Sequence, residues 1–228
     1  MAVDFEKLIV RTPYLFHLTY LPSLERIRRS MTLESAGRLL ELGSKQEWLR
    51  KRREEMLPFR IGDDQVVLTD QRPLTAGNVD FQDGWDVSDL VESVNRRVFF
   101  WRGNHDGLLS KDRGHFGTYS ERGEQLVFLR IPFGDAVAIT ENSNPEYCRF
   151  NSGGPRCSGG KKSPRGPRTF MEANQADFTF GKVREVVFRD VFYLPDSTEI
   201  CHGSWEGEWQ IFRFDDVQRD QQTNEATR

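Results

Sequence analysis

The chain has 228 residues, of which 37% are hydrophobic and 12% aromatic, and its formal net charge is −3. This length fits one domain with a sizeable core, and the aromatic content excludes disorder of the whole chain. No apolar run reaches the roughly 20 residues of a membrane helix, and the first residues do not form a basic stretch followed by an apolar one. The sparse set Cys148, Cys157 and Cys201 favours a reducing compartment and has no zinc spacing. We therefore expect a cytoplasmic protein with no membrane partner.

Apolar spacing and capping residues predict six elements in the first part of the chain. In chain order these are a strand at 14–19, a helix directly after it, helices at 34–42 and 45–56, a strand at 65–69 and a helix at 87–95 that Asp86 or Ser88 caps. In the first helix, Leu21, Leu24 and Ile27 recur at helical spacing, so the charged residues between them should face water. These charged residues are Glu25, Arg26, Arg28 and Arg29. Ser44 is the expected N-cap of the helix at 45–56, which Pro58 ends.

Four strands are predicted in the remainder, at 97–101, 126–132, 183–192 and 209–214. The run Val-Phe-Phe-Trp at 98–101 is unbroken and apolar, which is typical of a strand covered on both faces. We interpret residues 1–217 as one domain and the polar residues 218–228 as a flexible tail.

A basic segment lies between the second and third of these strands. Residues 148–169 carry six Lys and Arg residues, five Gly and three Pro but no acidic residue, so the composition predicts a loop or disorder. The rest of the chain carries more acidic than basic residues. One strongly positive segment on an acidic body indicates a polyanionic partner.

The first strand and helix carry a recognisable order of polar residues. His17 and Thr19 form a His-x-Thr pattern, and Ser23 and Leu24 follow, with Ile27 three positions further on. This order resembles the opening of the DNA-targeting ADP-ribosyltransferase toxins of the DarT type, in which a strand ends in His-x-Thr and a helix with Asn-Leu follows. Ser23 stands where that family has Asn.

Later strands extend the resemblance to about residue 200. The aromatic strand at 98–102 and the apolar strand at 126–129 resemble the family's central pair. Residues 183–187, with Glu185 at their centre, resemble the strand that presents the catalytic glutamate. The pattern Asn-x-Arg-Val-Phe-Phe-Trp at 95–101 is also similar to that of uncharacterised bacterial proteins.

The resemblance implies an ADP-ribosyltransferase-like α+β fold with a split central β-sheet and flanking helices. It implies NAD as the cofactor and Glu185 as the catalytic residue. The implied cofactor-binding residues are His17, Thr19, Ser23, Phe99 and Trp101. The implied function is ADP-ribosyl transfer to a nucleic acid, as in a bacterial toxin or a phage-defence effector, with an antitoxin or other inhibitory protein as a further partner.

These residue types suit that chemistry. Cleavage of the bond between ribose and nicotinamide builds positive charge on the sugar, which a carboxylate stabilises. A neutral imidazole hydrogen-bonds a ribose hydroxyl, and a flat aromatic ring stacks on nicotinamide. The same residues also have a purely structural interpretation. His17 and the aromatic strand are then core residues, and Glu185 is the exposed residue of a half-buried strand.

The motif Gly-Asn-His-Asp at 103–106 matches part of the metal site of calcineurin-like phosphoesterases. That family needs further ligand motifs, and the chain lacks both the early Asp-x-His and the late Gly-His-x-His. We therefore interpret residues 102–107 as a polar turn after the aromatic strand and expect no metal at 103–106.

The acceptor interpretation depends on the basic segment, because cations there would neutralise phosphates. The expected nucleic-acid-binding residues are Arg156, Lys161, Lys162, Arg165 and Arg168, and DNA is favoured over RNA. The alternative is that the segment is a solvated insertion.

Two other functions are compatible with the sequence. The first is an RNA 2′-phosphotransferase-like enzyme, which needs several convergent arginines for a phosphate. The candidates are Arg50, Arg52, Arg53, Arg72 and Arg97. The second is a non-catalytic module of the same fold that only binds NAD or another nucleotide, which the Ser23 replacement favours.

Overall fold

The computed structural model describes residues 4–109 and 125–213. The helices are α1 (Phe5–Arg11), α2 (Leu21–Ser30), α3 (Ala36–Leu42), α4 (Val87–Asn95) and α5 (Phe133–Ala138). The strands are β1 (Tyr14–Tyr20), β2 (Thr32–Glu34), β3 (Leu57–Ile61), β4 (Asp64–Leu68), β5 (Val79–Phe81), β6 (Arg97–Asn104), β7 (Gly107–Leu108), β8 (Leu126–Pro132), β9 (Glu146–Cys148), β10 (Ser163–Arg165), β11 (Met171–Glu172), β12 (Glu185–Arg189), β13 (Val191–Tyr193), β14 (Glu199–His202) and β15 (Gln210–Ile211).

A large antiparallel sheet organises these elements. Its strand order is β11-β9-β12-β6-β1-β8-β14-β15, and β7 pairs with the end of β6. Three small two-stranded sheets surround it, formed by β10 with β5, β13 with β2, and β3 with β4. The predicted α+β class is confirmed. Within the part of the chain that the structure describes, no helix has both the length and the apolar content to cross a bilayer.

The two central strands of the large sheet separate part of the way along their length. β1 pairs with β8 over all seven of its residues but with β6 over only three, and the last of these pairs is Phe16 opposite Trp101. β6 continues by pairing with β12, where Glu185 lies opposite Trp101. Beyond Phe16 a gap therefore opens between β1 and β6. The His17 ring crosses this gap, because its Nδ1 lies 2.9 Å from the backbone oxygen of Phe99.

Apolar side chains cover both faces of the sheet. On one face, the rings of Phe100, Phe188 and Phe192 have centroids 4.5 to 5.5 Å apart and form the centre of the main core. On the other face, a second cluster is built around Phe16 and Phe128. Because both faces are covered, the strands read as continuous apolar runs, and this explains why their positions could be predicted.

Several predicted elements are present. The strands at β1 and β8 agree closely with the predicted ranges, and α4 has the predicted bounds. Asp86 is the N-cap of α4, and its side chain accepts from the backbone N–H of Asp89 while Asp89 accepts from that of Asp86. This reciprocal capping box fixes the start of the helix.

The long helix predicted after Ser44 is wrong. Only Gln46–Trp48 forms a short 3-10 turn there, and Ser44, the expected N-cap, has a φ of 54°. The backbone carbonyls of Trp48 and Leu49 accept hydrogen bonds from Asn95 Nδ2 at 3.3 and 2.9 Å. In a helix these two carbonyls would accept from backbone N–H groups further along the same helix. Here they accept from a distant side chain instead, so a tertiary contact outweighs the local preference for helix.

Three smaller expectations also differ from the structure. Arg28 is buried instead of facing water, because its guanidinium lies 5.7 Å from the centre of the Phe212 ring. The strand expected over 183–192 is two strands, which are interrupted at Asp190, where φ is 52°. The last strand is only Gln210–Ile211, and the tail predicted at 218–228 lies outside the described residues.

Gly103 in β6 leaves no room for a side chain. A Cβ atom there would lie 2.3 Å from the Phe16 ring and 2.5 Å from the backbone oxygen of Gly107. We expect Gly103→Ala to lower the free energy of unfolding by about 2 kcal/mol, because overpacking forces the strand and ring apart. Urea unfolding monitored by circular dichroism measures this change.

The matched control is Gly134→Ala in α5, where a Cβ would meet nothing within 4 Å. That variant should be unchanged or slightly stabilised, because Ala favours a helix over Gly. Equal unfolding midpoints for the two variants would contradict the packing described for Gly103.

Candidate functional site

A cavity of about 250 Å³ lies at the separation of β1 and β6. Its walls come from β1, α2, β2, α3, β4 and the chain that follows it, the end of α4, β6, the start of β12 and residues 151–153. Every residue predicted to be catalytic or cofactor-binding lines this one cavity, namely Glu185, His17, Thr19, Ser23, Phe99 and Trp101. The structure therefore brings together side chains that are up to 168 positions apart in sequence.

Glu185 is buried, with 2% of its surface exposed. The backbone N–H of Ser152 donates to its carboxylate and lies 3.2 Å from each of the two oxygens. The interpretation of Glu185 as the exposed residue of a half-buried strand is therefore wrong. A buried carboxylate that lines a cavity keeps its charge only with hydrogen-bond donors or cations nearby, and such a group is typical of a functional site.

His17 and Glu185 reach the cavity from different sides of the sheet. Pairing places Phe16, Trp101 and Glu185 in register on neighbouring strands, so their side chains project to the same face. His17 is the next residue of β1 and projects to the other face, where its ring lies 5.5 Å from that of Phe100. The cavity contacts both because it lies in the gap where β1 and β6 no longer pair.

The His17 ring is neutral at pH 7. Burial lowers the pKa of His17 from 6.5 to about 4. The partner of Nδ1 is the carbonyl oxygen of Phe99, which only accepts, so Nδ1 carries the proton and donates. Nε2 is therefore unprotonated and available as an acceptor, as the recognition of a hydroxyl group requires.

This neutral histidine makes stability depend on pH. Between pH 6.5 and about 4 the unfolded chain binds a proton at His17 that the folded chain excludes, so stability falls as the pH decreases through this window. From pH 7 to about pH 4.5 we expect the parent chain to lose about 2 kcal/mol more stability than His17→Gln, which keeps a donor for Phe99 but does not titrate. Urea unfolding at both pH values measures the difference.

The control for this experiment is His202→Gln, because His202 is an exposed histidine on β14. Its pH dependence should match that of the parent chain. If the parent chain and His17→Gln lose equal stability, then His17 of the parent chain is protonated as readily in the folded state as in the unfolded state.

Ser23 has a structural contact as well as its place on the cavity. Its Oγ accepts from the backbone N–H of Val67 at 3.3 Å and so connects α2 to β4. Because the hydroxyl oxygen is the acceptor in this bond, its hydrogen can still be donated toward the cavity. Thr19, on β1, is half-buried at the same wall.

The wall of the cavity also carries a polar cluster that no sequence motif predicted. Arg53 is buried, and it donates to the backbone oxygen of Thr69 at 2.9 Å and to Asn95 Oδ1 at 3.0 Å. Gln71 Nε2 also donates to Asn95 Oδ1, at 3.1 Å. Burial lowers the pKa of Arg53 to about 10, so it stays positively charged at pH 7. The available signal was Asn95 itself, a polar residue at the helical position where α4 should place an apolar one.

The five arginines considered for phosphate binding do not converge. Only Arg53 lines the cavity. Arg97 is buried elsewhere against Glu146, at 2.7 Å. The others make surface contacts: Arg50 with Asp89 and Glu92, Arg52 with Glu54, and Arg72 with the backbone oxygen of Glu54.

The basic segment begins at the rim of the cavity and then leaves it. Most of it is loop, as its composition predicts, and β10 anchors it to β5. Arg156, Lys161 and Lys162 are exposed. Arg168 is also exposed and lies 3.7 Å from Asp177.

The prediction that Arg165 belongs to the nucleic-acid-binding residues is wrong. Arg165 was expected to bind nucleic acid, but only 1% of it is exposed, and its guanidinium lies 4.4 Å from the centre of the Phe150 ring. A buried guanidinium that contacts its own chain does not contact a phosphate backbone. We therefore remove Arg165 from the predicted nucleic-acid interface.

The turn between β6 and β7 is formed by residues 105–106 alone, because residues 102–104 belong to β6 and Gly107 begins β7, so the predicted turn at 102–107 is shorter than expected. Asn104 Oδ1 accepts from the backbone N–H of Asp106 at 2.9 Å, so the asparagine caps the turn. Within residues 4–109 and 125–213, no group of three or more His, Cys, Asp or Glu side chains is placed to hold a metal ion.

The fold and the cavity define an α+β domain with a separated pair of central strands and a buried carboxylate between them. The model of a family of unknown function, DUF7002, matches residues 13–192, which include every residue that lines the cavity. The chain belongs to this family. No curated protein and no solved structure matches the chain.

Proposed function

We propose that the chain is an NAD-dependent ADP-ribosyltransferase, with a nucleic acid as its acceptor. The observation that carries the proposal is the presence of Glu185, His17 and Trp101 on one cavity. A resemblance read from short, separated motifs predicts that these residues meet, whereas a chance match gives no reason for them to do so.

Each residue has a task that its surroundings favour. The Glu185 carboxylate stabilises the positive charge that develops on the ribose, and its burial strengthens this effect because the local dielectric is low. His17 Nε2 accepts from a ribose hydroxyl. The rings of Phe99 and Trp101 offer a flat surface for nicotinamide. When bound, NAD supplies the ADP-ribosyl group and the nicotinamide that leaves.

Arg53 adds a positive charge to the same cavity, which the carboxylate of Asp70, another lining residue, partly balances. Two of its contacts, to Thr69 and Asn95, hold the guanidinium in place. Such a fixed cation suits an anionic group of the substrate, because its orientation costs no further ordering on binding.

The basic segment supports a nucleic-acid acceptor. Residues 151–153 line the cavity beside Glu185, and the exposed cations Arg156, Lys161 and Lys162 follow within the same segment. A phosphate backbone held by these cations would therefore pass close to the mouth of the cavity. We favour DNA over RNA, and a toxin or phage-defence role with an inhibitory protein partner, on the resemblance alone.

The structure bears differently on the two alternative functions. An RNA 2′-phosphotransferase needs several arginines around one phosphate, and of the five candidates only Arg53 lines the cavity. A non-catalytic binding module would use the same cavity, so the cavity alone does not distinguish it from an enzyme.

Transfer of label from NAD separates these functions. The full chain is incubated with NAD labelled in its adenylate part and, in separate reactions, with single-stranded DNA, duplex DNA, RNA and a protein extract. Label on nucleic acid together with free nicotinamide is the expected result. Label on protein alone would contradict the proposal that the acceptor is a nucleic acid. Binding of NAD without release of nicotinamide would contradict the proposal that the chain is an enzyme.

A further inference from the structure

We propose that Arg165 is a positioning residue that orients the Glu185 carboxylate through a single peptide group. The two ends of this group are the carbonyl of Asn151 and the N–H of Ser152. The consequence for catalysis rests on the proposed function, whereas the structural coupling does not.

The guanidinium of Arg165 is held from several directions. Nη2 donates to the backbone oxygen of Asn151 at 2.7 Å. Nη1 donates to Ser163 Oγ at 2.6 Å and to the backbone oxygen of Pro164 at 2.9 Å. With the Phe150 ring 4.4 Å from the guanidinium, these contacts leave the side chain little freedom.

The contact to Asn151 determines where the next N–H points. The peptide bond between Asn151 and Ser152 is planar, and in its trans form the carbonyl and the N–H point in opposite directions. Arg165 binds the carbonyl end, and Glu185 accepts from the N–H end at 3.2 Å to both oxygens. Fixing one end therefore fixes the other, so Arg165 orients the N–H group from which the Glu185 carboxylate accepts.

The base of this arrangement is attached to the body of the domain. β10 pairs with β5, and the backbone N–H of Gln82 donates to the Arg165 oxygen at 2.8 Å. Gly166 allows the close approach, because a Cβ there would lie 2.8 Å from Gln82 Cβ. Arg165 therefore connects β10, which β5 holds in place, to the peptide group of Asn151 and Ser152 at the cavity.

Electrostatics favours the same pairing. Burial lowers the pKa of Arg165, and the negative charge of Glu185 acts in the opposite direction. Burying a guanidinium is costly, and Nε of Arg165 has no hydrogen-bond partner among the described residues. A costly buried cation beside a buried carboxylate fits a positioning role better than a packing role.

Amide exchange and steady-state kinetics on the full chain test the proposal. In Arg165→Met, which keeps the bulk but neither charge nor donors, the Ser152 amide should exchange about 10-fold faster or more. The kcat for NAD should fall about 10-fold, with KM changed less than about two-fold, because NAD still meets the same walls. Arg165→Lys keeps the charge and one set of donors and should lie between the parent and Arg165→Met in both measurements.

Lys182→Met is the matched control, because Lys182 is an exposed cation three positions before Glu185. It should leave exchange and kcat unchanged. A folded Arg165→Met with parental Ser152 exchange and kcat overturns the proposal. If Arg165→Met does not fold, Arg165→Lys decides: faster Ser152 exchange than in the parent supports the coupling, and parental exchange overturns it. Faster Ser152 exchange in a chain that never turns over NAD would support the coupling and contradict only the transferase function.

Discussion

Glu185→Gln should lower the turnover of NAD by about 100-fold or more while NAD binding persists. The amide has nearly the shape of the carboxylate and keeps an oxygen that can accept from the Ser152 N–H, so the wall of the cavity is preserved. It loses the negative charge that stabilises the developing ribosyl cation. Nicotinamide release measured by liquid chromatography gives kcat, and calorimetric titration with NAD gives the affinity.

The control is Glu172→Gln, since Glu172 is an exposed glutamate on β11 of the same sheet. This variant should turn over NAD at the parental rate. If Glu185→Gln does so as well, Glu185 has no part in the chemistry, and the resemblance to ADP-ribosyltransferases does not extend to function.

Replacement of Arg156, Lys161 and Lys162 by Ser should weaken nucleic-acid binding by about 100-fold at about 0.1 M salt. Three lost phosphate contacts should also lower the slope of log affinity against log salt by about 2 to 3, because fewer counterions are released. NAD affinity should be unchanged, since none of the three residues lines the cavity. Fluorescence anisotropy over a series of salt concentrations measures both quantities.

The matched control removes three exposed cations from other elements, Arg11, Lys51 and Arg60. Both variants have the same net charge, so a general electrostatic effect would weaken binding equally. Equal slopes for the two triple variants would identify the basic segment as a solvated insertion and would leave the nucleic-acid acceptor without support from charge.

Only part of the candidate site was predictable from short patterns. His17, Phe99 and Trp101 lie on strands whose apolar runs are unmistakable, and the resemblance assigned their order. Arg53 and Asn95 belong to no such pattern, because their contacts join residues 42 positions apart. A short stretch of sequence does not indicate which distant polar side chain hydrogen-bonds to a buried polar group.

The burial of Arg165 could not be predicted from local sequence either. By composition it belongs with the exposed cations of the basic segment, and nothing in its neighbours marks it as buried. The pairing of β10 with β5 turns its side chain inward, over Phe150 and onto Asn151. A charge count treats all six basic residues of the segment alike, whereas the fold separates one of them from the others.

The sequence by itself determined the α+β class, the positions of β1, β6 and β8, and the bounds of α4, because hydrophobic periodicity and caps are local signals. Tertiary structure alone decided that the chain after Ser44 is not a helix and that Arg165 is buried. It also decided that β1 and β6 separate beyond Phe16 and so leave a cavity between them. Each of these depends on contacts between residues far apart in the chain, whose free energy outweighs local preferences of at most about 1 kcal/mol per residue.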